Sequence, residues 1–171
     1  MLAAGGSFMS TVRRLEGAEE LSLVKAADHL IEECRMVLPG VQALFGFQLI
    51  AVFSERFDTA LTAAEKQLHL ASIVLVALSI ALIMTPAAYH RLTAPDRVTA
   101  HFLRLSTRLL MAGMPLLMAA LVIDAYLVGR LIDGHSVGLA VASVVFAVFS
   151  TLWFVLPMVS RLRKLDPLAP P

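Results

Sequence analysis

Four long apolar runs, separated by short charged stretches, constrain this chain more than any other feature in it. A run of about 20 mostly apolar residues, rising about 1.5 Å each as a helix, matches the hydrocarbon thickness of a bilayer. The runs fall at about residues 37–57, 68–90, 107–132 and 136–160. None alternates with period two, which argues against a membrane β-barrel. The 171 residues are 58% hydrophobic, and the mean hydropathy is +0.80. A soluble domain carries about 45–50% apolar residues, and one this small has no interior for the excess. The expected fold is all-α: a four-helix transmembrane bundle with an N-terminal cytoplasmic or interfacial amphipathic helix.

Lys and Arg set the orientation. Arg13, Arg14, Lys25 and Arg35 precede the first run. Arg91, Arg97, Arg104 and Arg108 fill the second connection, and Arg161, Arg163 and Lys164 follow the last run. The other two connections hold only Arg56, Lys66 and Arg130. The positive-inside bias places both termini and the middle connection in the cytoplasm, and the expected location is the bacterial inner membrane. No charged n-region precedes a sufficient apolar stretch at the start, so the first span is expected to serve as insertion signal.

Residues 1–15 are expected to be disordered, as is the proline-rich tail at 161–171. Residues 16–35 read as an amphipathic helix, with Leu21, Val24, Ile31 and Leu38 near one face and Glu19, Glu20, Glu32 and Glu33 on much of the rest. Its acidity argues against adsorption to anionic lipid. The net charge of +1 gives no field for nucleic acid. The single cysteine, Cys34, excludes an intramolecular disulfide and a multi-cysteine zinc site.

Polar residues inside the spans are few. Asp124 lies six residues before Arg130, which marks the outer end of the third run. An ionised carboxylate at a helix centre costs about 2–3 kcal/mol on insertion scales, so it must face the bundle, a partner or water. It is either an ion- or proton-binding group or a carboxyl satisfied by a neighbour such as Gln48. Gln42 and Gln48 complete the candidates for an ion pathway, though six residues apart they do not share a helix face. At the inner rim, Glu33, Arg35, His90 and Arg91 are expected to form ion pairs, Glu33 with Arg91 in particular. His69 and His135 come nearest to a metal site, with Glu65 and Asp133, but no tight ligand spacing supports one. No metal or cofactor is expected. Small residues give the last three spans close-packing faces: Ser72 and Ser79; Ala112, Gly113, Ala119 and Ala120; Ser143, Ala147, Ser150 and Thr151.

The stretch Glu33-Cys-Arg-Met-Val-Leu-Pro-Gly-Val-Gln42-Ala-Leu-Phe-Gly-Phe-Gln48, followed by Phe53, Phe57, Leu68-His69 and Pro86-Ala-Ala-Tyr-His90-Arg91, resembles a group of small bacterial membrane proteins, the domain-of-unknown-function family 6328. The resemblance covers roughly residues 30–110 and implies a four-helix membrane protein.

Nucleophile–base pairs, phosphate-binding glycine loops and paired catalytic acids are absent at usable spacing, so no enzyme is expected. The expected function is a structural or accessory membrane role, self-associating or within a larger membrane complex, with the lipid bilayer as its surroundings. The alternative is a homo-oligomeric ion or proton channel using Asp124 and the membrane glutamines. A third possibility is an apolar ligand between spans, lined by Phe45, Phe47, Phe146 and Phe149.

Overall fold

The computed structural model describes the backbone of residues 3–93 and 99–165, and the side chains of residues 22–93 and 99–162. Among the described residues there is no strand. The chain is all-α, as its apolar runs require. Helix α1 spans Ala3–Ala51, α2 Glu55–Ala60, α3 Ala63–Thr93 and α4 Ala100–Ser150. A π-helical turn at Thr151–Val155 leads into α5, Leu156–Leu165. Three stretches are long and apolar enough to cross a membrane: Ser22–Ala51, Ala63–Thr93 and Ala100–Leu162.

The last stretch has 63 residues, about 95 Å if straight, against a hydrocarbon core of about 30 Å. It is not straight. The backbone leaves helical geometry at Asp133 and Gly134, where Gly134 has φ +88°, a region L side chains rarely enter. The arms then pack back on each other as an antiparallel hairpin. Gly129 meets Gly138 backbone to backbone, and the Ser150 hydroxyl reaches the Met118 sulfur at 3.7 Å.

Several expected boundaries move. The disordered N-terminus 1–15, the separate helix 16–35 and the start of the first span are one helix from Ala3. Good helix formers dominate residues 13–38, and a proline within an apolar helix is tolerated where neighbours satisfy the freed carbonyl. The first span ends at Ala51, not near 57, because Ser54 starts a new helix: its Oγ accepts from the Phe57 amide at 3.2 Å. The helix after the last run continues to Leu165, into the segment expected to be disordered. The tail beyond it lies outside the described residues, as do the side chains of Glu19, Glu20 and Leu21.

Burial along the helices follows alternating steps of three and four. On α1 the buried positions include Ala27, Leu30, Cys34, Val41 and Gln48; of the expected face, Val24 is exposed, Ile31 is half-buried, and Leu38, half-buried too, packs against the core at Leu30 and Cys34. On α3 they are Glu65, His69, Ser72, Val76, Ser79, Ile83 and Pro86. On α4, Phe102, Ser106, Gly113, Leu117, Ala120 and Leu127 are buried, and Asp124 falls in step between the last two. Narrow seams of this period let helices interdigitate at close range. Outward from them stand exposed apolar side chains such as Phe47, Ile50, Phe53, Leu70 and Val144.

The chain divides into two compact units, residues 1–43 with 79–113, and residues 44–78 with 114–171. In the first, Leu30, Cys34 and Ile83 form a small core with Leu38 and Leu110 packed against it. The Ser79 hydroxyl donates to the Gly113 carbonyl at 3.1 Å. In the second, the end of α1, the first part of α3 and the first arm of the α4 hairpin meet in a polar cluster, and the second arm packs on the first. On the second arm Gly138 and Ala142 are buried while Ser143 and Ala147 are exposed. Of the expected small-residue face there, Ser143 and Ala147 thus point outward while Ser150 meets the facing arm, and the Ser143 hydroxyl turns back to the Leu139 carbonyl at 2.7 Å.

Candidate functional site

The polar cluster belongs to the second unit, and helix seams bring its members together. Gln48 on α1, Ser72 on α3 and Asp124 on α4 each occupy a step of their helix's inward stripe. The Gln48 Nε2 donates to the Ser72 Oγ at 2.7 Å and to the Asp124 Oδ2 at 2.7 Å. The Ser72 hydroxyl lies 2.8 Å from the Asp124 Oδ1 and 3.2 Å from the Ala120 carbonyl. A serine has one proton to give, and the shorter contact, to the carboxyl, takes it. Asp124 therefore has a donor on each oxygen, one from α1 and one from α3.

His69 sits one turn before Ser72. Its Nε2 is 3.0 Å from the Gln48 carbonyl oxygen. A carbonyl only accepts, so Nε2 carries the proton, and in the neutral ring Nδ1 is a bare acceptor. That Nδ1 faces the Asp124 Oδ1 at 3.9 Å. Phe57 covers the ring edge-on, with centroids 5.1 Å apart. The cap at Ser54 positions it, since Phe57 is the residue whose amide the cap holds.

Next to this cluster, Thr62 and Glu65 start α3 with reciprocal bonds. The Glu65 amide donates to the Thr62 Oγ1 at 3.3 Å, and the Glu65 Oε2 accepts from the Thr62 amide at 2.8 Å. This is a capping box. The remaining Glu65 oxygen pairs with the Arg130 Nε at 2.9 Å. Lys66 on α3 pairs with Asp58 on α2 and also donates to the Asp58 carbonyl at 3.0 Å. The ammonium's hydrogen bond and charge hold the Asp58 carboxyl below its ordinary range.

A cleft of about 260 Å³ opens beside the cluster, walled by Leu44, Phe47, Phe57, Leu61, Leu127 and Leu131 among others, with Gln48, His69 and Asp124 as its polar members. Gln48 is only 4% exposed, and its Oε1 has no hydrogen-bond partner among the described residues. Asp124 keeps 18% of its side chain accessible. Among the described residues no Lys or Arg pairs with it.

The expected site residues separate accordingly. Asp124 and Gln48 are joined. Gln42 is exposed, on the stretch of α1 that belongs to the other unit. Glu33, Arg35 and Arg91 are exposed and enter no ion pair among the described residues, so the expected Glu33–Arg91 bridge does not form. The inward stripe of α1 runs through Leu30 and Cys34, and Glu33 lies about 100° from Cys34 around the helix. His90 is half-buried, its ring 5.3 Å from Phe102. His135 lies 3.0 Å from the Tyr126 hydroxyl, while Glu65 is committed to its cap and to Arg130. Among the described residues no three His, Cys, Asp or Glu side chains gather as a metal site. Of the four phenylalanines considered for an apolar ligand, Phe47 lines the cleft; Phe146 is exposed, and Phe149 packs edge-on against Trp153.

Chemically, the cluster holds serine, histidine and a carboxyl but does not arrange them as a nucleophile relay. Such a relay needs the histidine bonded to the serine, whereas His69 bonds a backbone carbonyl. What the arrangement offers is a carboxyl held by donors from two other helices.

A family model described as a family of unknown function, DUF6328, matches residues 19–157. No curated protein and no solved structure matches the chain.

Proposed function

This chain belongs to the DUF6328 family of unknown function, and from that premise we propose a non-catalytic accessory role in the bacterial inner membrane. The protein crosses four times, counting the α4 hairpin as two passes, with both termini in the cytoplasm. The observation that carries the reading is the pairing of both Asp124 oxygens with donors from two other helices. A deep carboxyl so satisfied acts as a lock between helices. Interhelical hydrogen bonds in membranes contribute about 0.6 kcal/mol each on average, and up to about 1.7. Self-association uses the outward small residues Ser143 and Ala147. Asp124→Leu should lower the unfolding temperature of the purified protein, while Asp124→Asn, which keeps one of the two acceptor oxygens, lowers it less. Equal stability of the Leu variant and the parent would remove the lock.

A second reading, a homo-oligomeric proton or cation pathway, is favoured by one observation: the His69 Nδ1 faces Asp124 at 3.9 Å. Proteoliposomes should then leak protons, and Asp124→Asn should reduce the leak. Leak no faster than in protein-free liposomes argues against it.

A further inference from the structure

The first turns of α4 carry a basic face that the helix lock does not use. Phe102, Ser106 and Gly113 turn inward there and are buried. His101, Arg104 and Arg108 follow steps of three and four on a bearing about 150° away, at about 100° per residue. All three are exposed. A hollow of about 80 Å³ lies among them, with Leu105 as its apolar member. Farther along the same bearing come Met111 and Ala112, also exposed. The whole face belongs to one compact unit.

Among the described residues, charged contacts join Lys66 to Asp58, His69 to Asp124 and Arg130 to Glu65. No carboxylate answers the basic face. Helix α1 exposes Asp28, Glu32 and Glu33 in the same unit, but none of them pairs with it. The number of cations at a rim sets orientation in the membrane. Orientation is indifferent to bearing, so it does not require three cations on one stripe. Two arginines one turn apart on a helix repel each other, and an anion shared between them offsets that repulsion.

The order along the face selects the anion. A free phosphate meets the cations but leaves Met111 and Ala112 uncovered. An acidic segment of a soluble partner would have to follow α4 into the bilayer to cover them. An anionic phospholipid carries a phosphate joined to an acyl chain, in the same order as the face itself. Guanidinium groups bind phosphate oxygens in pairs, and a histidine N–H donates whether or not the ring is charged. Basic pockets at the cytoplasmic rim of membrane helices suit such headgroups.

We propose that His101, Arg104 and Arg108 hold the phosphate of an anionic glycerophospholipid, with one acyl chain lying along Met111 and Ala112. The site rests on reading this end of α4 as the inner rim of a span.

The test uses the full chain in detergent, with native mass spectrometry counting bound lipid. Dioleoyl phosphatidylglycerol is the probe, and dioleoyl phosphatidylcholine is its neutral match. The parent should hold about one phosphatidylglycerol per chain, at least about tenfold more tightly than phosphatidylcholine. Arg104→Gln combined with Arg108→Gln should erase that preference, since each lost charge-assisted bond is worth about tenfold. Arg56→Gln, the same loss of charge on α2, should keep it. Inorganic phosphate should not displace the lipid. Equal affinity for the two lipids, an unchanged preference in the double variant, or displacement by phosphate overturns the proposal. So does a double variant that falls from oligomer to monomer with its preference intact, which would assign the face to acids of a second copy. The comparison of lipids on the parent decides the matter even if a variant fails to fold. Binding in detergent is blind to orientation, so failure here leaves the four-pass reading and the lock standing.

Discussion

Gly129 and Gly138 touch through their backbones: a Cβ added to Gly129 would lie 2.8 Å from the Gly138 Cα. Their contact closes the α4 hairpin. Neither has room for a methyl group, since a Cβ on Gly138 would lie 2.8 Å from the Tyr126 carbonyl oxygen. Gly129→Ala and Gly138→Ala should each destabilise by about 1–3 kcal/mol through overpacking. Gly40 and Gly46 have nothing within 4 Å of an added Cβ. Their alanine variants should be neutral or gain about 0.5–1 kcal/mol from helix propensity. Thermal unfolding of all four in one detergent checks the contrast.

Gly134 supplies the break that makes the hairpin possible. Its φ of +88° and ψ of −176° belong to glycine. Gly134→Ala should cost about 1–3 kcal/mol although nothing stands within 4 Å of the new methyl. A loss of this size without a steric clash, seen in the same unfolding measurement, identifies backbone strain.

Removing the donor of the lock is a separate test from removing the acceptor. Gln48→Leu strips the Asp124 Oδ2 of its partner while preserving the size of the buried side chain. A loss of about 0.6–1.7 kcal/mol is expected, the range for interhelical hydrogen bonds in membranes. If Gln48→Leu and Asp124→Leu are combined, the second change should cost less than it does alone, because the pair is already broken. Additive losses in that double-mutant cycle would show that the two side chains do not act together.

Asp58 and Lys66 give the chain a pH-dependent contact outside the apolar stretches. The folded carboxyl is lowered from its ordinary value of 3.8 by Lys66, so its contribution to stability is complete above the unfolded value. It is lost as pH falls through the lowered folded value. The difference in unfolding temperature between the parent and Asp58→Asn should therefore be constant above about pH 5 and shrink below about pH 4. A difference that grew on acidification would have the wrong sign.

Thr62→Ala removes one side of the capping box and should cost about 1 kcal/mol. It also deprives the Glu65 Oε2 of the hydroxyl, which lies 2.8 Å away, and leaves the residue-62 amide and Arg130 to hold the carboxylate.

The helical class was legible because apolar runs of span length have one economical backbone solution in lipid. The bond from Gln48 to Asp124 was legible as an alternative, because a deep carboxyl needs a partner and polar neighbours are few. His69 was not, because at a span's outer end a histidine reads as interfacial; the decisive signal lay in the steps 65, 69, 72, 76 and 79, one stripe carrying four polar residues. The same reading applied to α1 places Gln48 seven residues after Val41 and fourteen after Cys34, in line with apolar positions. The Glu33–Arg91 bridge failed because complementary charge at two helix ends does not fix which way each side chain turns. Thr62-Ala-Ala-Glu65 carried a capping signature in plain sequence that the length of the neighbouring apolar run obscured.

The π-helical turn at Thr151–Val155 works as a phase slip. The inward positions of the second hairpin arm step through Gly138, Ala142, Val145 and Phe149, and the same rhythm calls next for Leu152 and Leu156. Both are more than half exposed. The Leu156 amide closes its bond five residues back, on the Thr151 carbonyl, so the turn absorbs one residue more than an α-helix does. One residue amounts to about 100° of rotation. Everything from Leu156 onward is thus dialled to a different bearing from the arm that precedes it. Deleting a single residue within 151–155 would restore the α-helical count and swing Leu156, Met158 and Leu162 around the axis together, which makes this turn the place where one residue's worth of length sets the aim of the final helix.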